Sequence, residues 1–163
     1  MRLYAESSAV IAWLLDEATA GPVERALTEA DIVIASELTV VETERVLGRL
    51  EALGELAPAE AAVGRGRLHR AAEFWVIWRF RRPVLERAGR PFPLEPVRTL
   101  DALHLASAID ARDAVPGLAV LSLDERIRVI SMALGFEVMP RPSAAQPGNS
   151  GTAATKPSSS SLQ

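Results

Sequence analysis

Short, continuous apolar segments alternate along this chain with longer segments of helical pattern, and this alternation limits the fold more than any other feature. Residues 32–35 and 118–121 are four-residue runs without a polar position, which is typical of strands buried on both faces of a parallel sheet. Residues 3–5 and 136–139 predict two more strands. Because the connections are long enough to contain helices, the sequence predicts an α/β fold in which a parallel sheet carries helices on both faces.

The connecting segments show helical periodicity. The pattern predicts helices at residues 9–15, 23–28, 38–53, 84–88, 97–110 and 125–134. Another long helix is predicted from Pro58 towards Trp78, with Pro83 ending it. Gly135 directly follows the last helix, where a glycine commonly ends a helix. The helix at 97–110 is apolar on nearly every side, so we expect it to lie in the protein interior.

The composition indicates one folded domain followed by a tail. Hydrophobic residues make up 48% of the 163 residues, which is enough for one sizeable core. From residue 141 onwards, serine, proline, alanine, glycine and threonine dominate, and Leu162 is the only large apolar residue. We therefore expect a domain at residues 1–140 and a disordered tail at residues 141–163.

Several classes of protein are disfavoured by what the sequence lacks. There is no cysteine, which excludes a disulfide scaffold, a thiolate nucleophile and a cysteine-ligated metal. The apolar run at residues 9–15 imitates a signal peptide, but Glu6, Asp16 and Glu17 interrupt that pattern. No apolar run has the length of a membrane span, and no phosphate-binding glycine loop is present. We expect a cytoplasmic protein that does not associate with membranes.

Four acidic residues occupy equivalent places in the predicted fold. Glu6 and Asp124 follow predicted strands, while Glu42 and Asp101 lie near the starts of helices at the same sheet edge, where α/β proteins form their sites. Two carboxylates about 4 Å apart repel by several kcal/mol near a protein surface, so four together require a cation. Mg²⁺ or Mn²⁺ prefers such oxygen ligands. Such a site hydrolyses phosphodiesters, which predicts a nucleic-acid substrate.

Glu6 and Glu42 each have a structural interpretation as well. Glu42 fits the last position of a capping box that begins at Thr39, and it could alternatively pair with Arg45 on the same helix face. Glu6 could be an ordinary acid at the end of a strand. Either interpretation would leave the residue without a role in metal binding.

The other two acids have structural interpretations that rest on helix capping. If Thr99 is the N-cap, Asp101 lies at the second helical position, where the helix dipole favours a negative charge. Asp124 could cap the helix that follows it. His104 lies one turn after Asp101. We interpret it as a packed, hydrogen-bonded core histidine and leave it out of the catalytic set.

The segments around the four acids resemble the four acidic motifs of PIN-domain ribonucleases, in particular the VapC toxins of bacterial toxin–antitoxin pairs. The segments are residues 3–9 (LYAESSA), 36–42 (SELTVVE), 100–106 (LDALHLA) and 121–124 (LSLD). The third segment is the most specific, and the order of all four is more informative than any one of them. The resemblance covers roughly residues 1–140.

This resemblance implies a Rossmann-like PIN domain that acts as a Mg²⁺- or Mn²⁺-dependent endoribonuclease and forms a homodimer. It also implies a cognate antitoxin protein that blocks the site. By position in the motifs, the implied catalytic residues and metal ligands are Glu6, Glu42, Asp101 and Asp124. Ser7 and Ser122 would be polar supports beside the first and last of these acids.

Glu6 departs from the family pattern, which has aspartate at this position. The added methylene moves the carboxylate by roughly 1.5 Å, whereas catalytic sites usually tolerate roughly 0.5 Å. A shifted strand, a metal held through water or a loss of activity could each accommodate the change. The alternatives to an active ribonuclease are a weak or inactive PIN-like module that binds RNA or a partner, and a structure-specific DNA nuclease.

Residues 65–90 are strongly basic. They contain eight arginines against two glutamates, interleaved with four aromatic residues. This mixture suits single-stranded RNA, which is bound through phosphate contacts and base stacking. The predicted RNA contacts are Arg79, Arg81 and Arg82. In the alternative interpretation, Phe74 and Trp78, four residues apart, pack in a core or a dimer interface.

Overall fold

A computed structural model describes residues 1–141 of the chain, and these residues form five strands and seven helices. The elements, in chain order, are β1 (Arg2–Ala5), α1 (Ser7–Leu14), α2 (Ala20–Glu29), β2 (Ile32–Ser36), α3 (Glu37–Ala52), α4 (Pro58–Phe74), β3 (Val76–Trp78), α5 (Arg82–Ala88), α6 (Thr99–Ala114), β4 (Leu118–Leu121), α7 (Glu125–Ala133) and β5 (Val138–Met139). From residue 142 onwards, the predicted tail lies outside the described residues. Within residues 1–141, no helix combines the length and the apolar character that crossing a membrane would require.

The five strands form one parallel sheet in the order β3-β2-β1-β4-β5. β1 lies in the middle of the sheet, and its residue Leu3 is in register with Val33 of β2 and Ala119 of β4. The expected α/β class with a parallel sheet is therefore confirmed. Because all strands point the same way, their carboxyl ends open at one common edge.

Helices cover both faces of the sheet, as the buried runs predicted. Successive side chains of a strand point to opposite faces, and in β1 Tyr4 packs on one side with Leu105 of α6. Leu3 packs on the other side with Val23 of α2. Ala5, on the same side as Leu3, contributes to a cluster with the α1 and α4 side chains. Two apolar layers thus enclose β1.

α6 lies in the interior along most of its length, as its apolar sequence predicted, although Leu100 is 47% exposed. The prediction that Thr99 caps this helix is wrong. Thr99 is already helical, because the amide of Ala102 bonds the carbonyl of Arg98, and Arg98 is the N-cap without a side-chain capping bond. Asp101 consequently lies one position deeper, at the third helical position, still within the first turn.

The long helix predicted from Pro58 towards Trp78 ends earlier, at Phe74. Trp75 has extended backbone angles, and Val76–Trp78 then form the edge strand β3, which pairs with β2. The sequence Val-Ile-Trp suits a strand because β-branched and aromatic residues pack well on a sheet. Phe74 is 86% exposed and Trp78 lies in the strand. The two residues therefore do not form a helical i, i+4 pair, and Phe74 does not pack in the core; packing in a dimer interface stays a prediction.

Candidate functional site

The carboxyl ends of β1 and β4 bring the first and last acidic motifs together. The strands pair up to Ala5 and Leu121, and the amide of Glu6 then donates to the carbonyl of Leu121 at 3.0 Å. Ser122 and Asp124 follow β4 on the same edge. The two strand-end motifs are therefore adjacent in space although they are far apart in sequence.

Glu6 lies at the centre of a cluster of hydroxyl groups and is only 3% exposed. Its Oε1 accepts a hydrogen bond from Ser7 Oγ at 2.7 Å, and its Oε2 accepts one from Ser122 Oγ at 2.8 Å. Oε2 also accepts from the amide of Ser8 at 3.1 Å and from the Ser8 hydroxyl, so Glu6 is the N-cap of α1. Its longer side chain is thus fully engaged within the protein.

Ser7 joins two of the predicted acids. Its Oγ lies 2.7 Å from Oε1 of Glu6 and 2.6 Å from Oε2 of Glu42. A serine hydroxyl has one hydrogen, so it can donate to only one of these carboxylates at a time. The other contact brings two acceptor oxygens together, which is unfavourable unless a proton or a cation is present. This excess of acceptors fits a site for a hard cation.

Glu42 lies in the second turn of α3, and the capping-box interpretation of this residue is wrong. The N-cap of α3 is Ser36, whose hydroxyl accepts from the amide of Thr39 at 3.2 Å. Within residues 1–141, no ion pair joins Glu42 to Arg45 either. Glu42 instead points to Ser7 and accepts from Nε2 of His104 at 2.7 Å.

The surroundings of Glu42 favour its charged form. Burial acts to raise the pKa of Glu42, but hydrogen bonds from His104 and Ser7 and the charge of His104 outweigh burial and hold the pKa below its usual value. The carboxylate is therefore ionised at neutral pH. An ionised carboxylate is the form that a divalent cation requires.

Asp124, the last of the four predicted acids, follows β4 at the N-terminus of α7. Asp124 caps α7, because its Oδ1 accepts from the amides of Arg126 at 2.8 Å and Ile127 at 3.2 Å, as its structural interpretation predicted. Both capping bonds use Oδ1 alone.

The charges of two other predicted acids affect the pKa of Asp101, which lies on α6. Burial raises its pKa first, and the negative charges of Asp124 and Glu6 raise it further, while the positive charge of Arg98 opposes them. The charges of Asp124 and Glu6 thus act on Asp101, and Ser7 joins Glu6 to Glu42. Among residues 1–141, the group of ligand atoms within 4.8 Å of one another contains Glu6 and Glu42 but neither aspartate, so the four-acid metal site stays a prediction.

Two residues contact the acids that sequence reasoning did not include in the site. Ser8 donates to Glu6, and its Oγ accepts from the amides of Leu123 at 2.9 Å and Asp124 at 3.1 Å, so it holds the segment after β4. The serine pair directly after Glu6 was the available signal. His104 is 2% exposed and hydrogen-bonded, as expected, but its partners connect it to the acidic group.

His104 is also part of a possible ligand set. Glu6, Glu42 and His104 each offer one ligand atom, and these atoms lie within 4.8 Å of one another. The spacing of three residues from Asp101 placed His104 on the same helix face, and this was the signal that could have connected it to the acids.

The part of the basic segment that follows β3 begins at the same sheet edge as the acids. Arg79 directly follows β3, and the neighbouring amide of Phe80 donates to Glu37 at the start of α3 at 3.0 Å. Arg79 is exposed and has no carboxylate partner within residues 1–141. Arg81 pairs with Asp110 at 2.7 Å, and Arg82 pairs with Glu86 at 2.7 Å. Of the three predicted RNA contacts, Arg79 is thus the one left unpaired.

Comparison with known proteins identifies the fold. The model of the PIN domain family matches residues 3–131, which include all four acidic motifs. The chain belongs to the PIN-domain family. Proteins of this family are nucleases, which agrees with the general expectation of a phosphodiester hydrolase. No curated protein sequence matches this PIN domain.

Solved structures confirm the fold of this PIN domain. It is similar to the crystal structure of Mycobacterium tuberculosis VapC20, a sarcin–ricin-loop-cleaving toxin, with a TM-score of 0.60 and 16% identity over 82% of this chain and 95% of that chain. It is also similar to FitAB bound to an IR36 DNA fragment, with a TM-score of 0.59 and 17% identity over 83% of this chain and 92% of that chain.

Proposed function

We propose that this PIN domain is a divalent-metal-dependent endoribonuclease and the toxin of a toxin–antitoxin pair. The observation that carries the proposal is the crowding of acids at the sheet edge, where Ser7 Oγ lies 2.7 Å from Oε1 of Glu6 and 2.6 Å from Oε2 of Glu42 and has one hydrogen for both. Asp101 has a raised pKa partly because Asp124 and Glu6 are negative, and a purely structural cluster would gain nothing from this repulsion. A bound cation turns the repulsion into attraction.

The residues that would hold Mg²⁺ or Mn²⁺ are Glu6, Glu42, Asp101 and Asp124. When bound, the ion supplies an activated water and neutralises charge on the scissile phosphate. The protein supplies the negative potential that attracts the ion, and Ser7 and Ser122 fix the direction of the Glu6 carboxylate. Glu6 would contribute mainly through Oε1, because Ser8 and Ser122 already donate to Oε2.

RNA is the proposed substrate for two reasons. The exposed Arg79 lies at the same edge as the acids, where it can contact a backbone phosphate. In addition, the structurally similar VapC20 is a sarcin–ricin-loop-cleaving toxin. Because the four acidic motifs resemble those of the VapC toxins, we also propose a cognate antitoxin as the partner and a homodimer as the assembly, and we propose the cytoplasm as the location.

The test is a cleavage assay on structured RNA with purified protein and Mn²⁺ or Mg²⁺. We expect cleavage that EDTA abolishes and that Asp101→Asn removes. Asp113→Asn is the matched control, because Asp113 is exposed in the last turn of the same helix and should leave cleavage intact. Metal-independent cleavage, or cleavage that survives in Asp101→Asn, contradicts the proposal. Preferential cleavage of branched DNA in the same assay indicates a DNA nuclease instead.

A second candidate function is a weak or inactive PIN module that binds RNA or a protein partner. It is favoured by the full engagement of Glu6 with Ser7, Ser8 and Ser122, which leaves few acceptor positions on that carboxylate for an ion. RNA binding without cleavage, in the presence of Mn²⁺, is the result expected from this candidate.

A further inference from the structure

His104 is buried beside the acidic group, and both of its ring nitrogens have partners. Nε2 lies 2.7 Å from Oε2 of Glu42 on α3, and Nδ1 lies 3.2 Å from the hydroxyl of Tyr4 on β1. The side chain of His104 is 2% exposed, and Tyr4 is 1% exposed. Three elements that are distant in sequence therefore meet at this imidazole.

The partners determine where the hydrogens lie. An ionised carboxylate only accepts, so Nε2 must carry a hydrogen and donate it to Glu42. On the other side of the ring, Nδ1 shares a hydrogen bond with the Tyr4 hydroxyl, and burial raises the pKa of Tyr4. The result is a continuous chain of hydrogen bonds from Tyr4 through His104 to Glu42.

The geometry argues against His104 as a metal ligand in its own right. Ser7 Oγ lies 2.7 Å from Oε1 of Glu6, 2.6 Å from Oε2 of Glu42 and 3.3 Å from Nε2 of His104. The space between these three ligand atoms is therefore filled by a protein hydroxyl. Nε2 is directed at Glu42 instead.

We infer that His104, held by Tyr4, is a positioning residue that fixes the Glu42 carboxylate for binding of the divalent cation. This inference rests on the proposed function. Glu42 lies in the second turn of α3 with its side chain 23% exposed, and a glutamate has several rotatable bonds whose freedom must be lost when it binds an ion. The bond from His104 removes part of that freedom in advance. Partners of this kind behind a metal ligand typically contribute 10–100-fold in metal affinity.

The test is Mn²⁺ binding to the full chain, measured by calorimetry and by the electron paramagnetic resonance of free Mn²⁺. His104→Leu removes the donor, and we expect about 10–100-fold weaker binding. His104→Gln keeps an amide donor near the position of Nε2, so it should recover most of the affinity. Tyr4→Phe removes only the supporting hydroxyl and should weaken binding less, in the same direction.

A matched control separates positioning from loss of stability. Leu105 is the neighbouring residue on α6, buried in the core at 1% exposure. Leu105→Ala should lower the melting temperature but leave Mn²⁺ affinity unchanged. If His104→Leu weakens binding no more than Leu105→Ala does, the inference is overturned.

The position of the hydrogen on His104 can also be measured in the wild-type protein, so this test does not depend on the folding of a variant. In the ¹⁵N-histidine spectrum, we expect a hydrogen on Nε2 of His104, and an Nε2 without a hydrogen overturns the inference. A wild-type chain that binds no Mn²⁺ overturns both this inference and the proposed function. Binding that is lost in Asp101→Asn but unchanged in His104→Leu overturns this inference alone.

Discussion

Oε2 of Glu6 accepts a hydrogen bond from Oγ of Ser122, 2.8 Å away and 116 residues further along the chain. The same carboxylate accepts from Ser7 at the opposite oxygen. These bonds connect the ends of β1 and β4 at the point where the acids meet. The glutamate that departs from the family pattern is therefore well accommodated, and its pocket fits the longer side chain.

Glu6→Asp should reduce stability and activity. The carboxylate retreats by about 1.5 Å and cannot keep its bonds to both Ser7 and Ser122. Loss of one buried, charged hydrogen bond costs about 1.5–3 kcal/mol, measurable by urea denaturation. Cleavage of RNA should fall in parallel. Ser8→Ala provides a comparison that removes one donor and leaves the carboxylate in place. A large gain in the cleavage rate of Glu6→Asp would show that the natural residue is detuned.

Asp101→Asn should stabilise the metal-free protein. The pKa of Asp101 is raised by burial and by Asp124 and Glu6, against Arg98 and His104. The native state therefore holds this proton more tightly than the unfolded chain. Its stabilisation is present below the unfolded pKa of 3.8 and is lost as pH rises through the raised native pKa. Asparagine imitates the protonated form, so the melting temperature at pH 7 in EDTA should increase.

Asp101→Asn should also lose most of the stabilisation that Mn²⁺ gives to the wild-type protein. At a Mn²⁺ concentration of about 100 times the dissociation constant, wild-type protein gains about 2.7 kcal/mol of stability. Asp101→Asn, without one ligand and one charge, should gain much less. The measurement is the melting temperature with Mn²⁺ and with EDTA. If Asp101→Asn is less stable than wild type in EDTA, the repulsion argument is wrong.

Glu42 should affect the pH dependence of the unfolding free energy with the opposite sign to Asp101, because its pKa is lowered and that of Asp101 is raised. Hydrogen bonds from His104 and Ser7 outweigh burial and lower its pKa below 4.5. The stability that this provides is present above the unfolded pKa and is lost as pH falls through the lowered native pKa. Glu42→Gln should therefore flatten the decline of the unfolding free energy below about pH 4.5. Glu55→Gln, at an exposed position, should leave the decline unchanged.

Arg79 should contribute more to RNA binding than Arg82. Arg79 is exposed and unpaired within residues 1–141, whereas Arg82 is engaged with Glu86. In an Asp101→Asn background, which prevents cleavage, Arg79→Ala should weaken RNA binding. It should also reduce the slope of log K against log salt by about 0.7–1. Equal slopes for Arg79→Ala and the parent protein would exclude this phosphate contact.

The sequence predicted the parts of the fold that local pattern determines. Residues 32–35 and 118–121 are entirely apolar, and a run of that kind is stable mainly in the middle of a parallel sheet. β3 was missed because Val76–Trp78 is three residues long and directly continues a helical pattern. Its strand conformation depends on pairing with β2, which local sequence does not reveal.

For the candidate site, the acidic residues were predictable from the sequence, whereas the residues that contact them were not. The acids could be found because their types and order follow the motifs of a known family. Their partners could not, since His104 bonds to residues 62 and 100 positions away. Position in sequence placed it in a buried helix and indicated a packed histidine. Only the assembled sheet shows that the packing partners are Tyr4 and Glu42.

The central place of β1 has a consequence for synthesis of the chain. Arg2 pairs with Ile32 on one side and with Leu118 on the other, so β1 has both of its neighbours only after β4 has been synthesised. A nascent chain that stops before β4 carries Glu6 and Glu42 but lacks Ser122 and the loop that presents Asp124. A chain truncated before β4 therefore cannot contain all four acids, and any hydrolytic activity that needs them arises only after Asp124 has been synthesised.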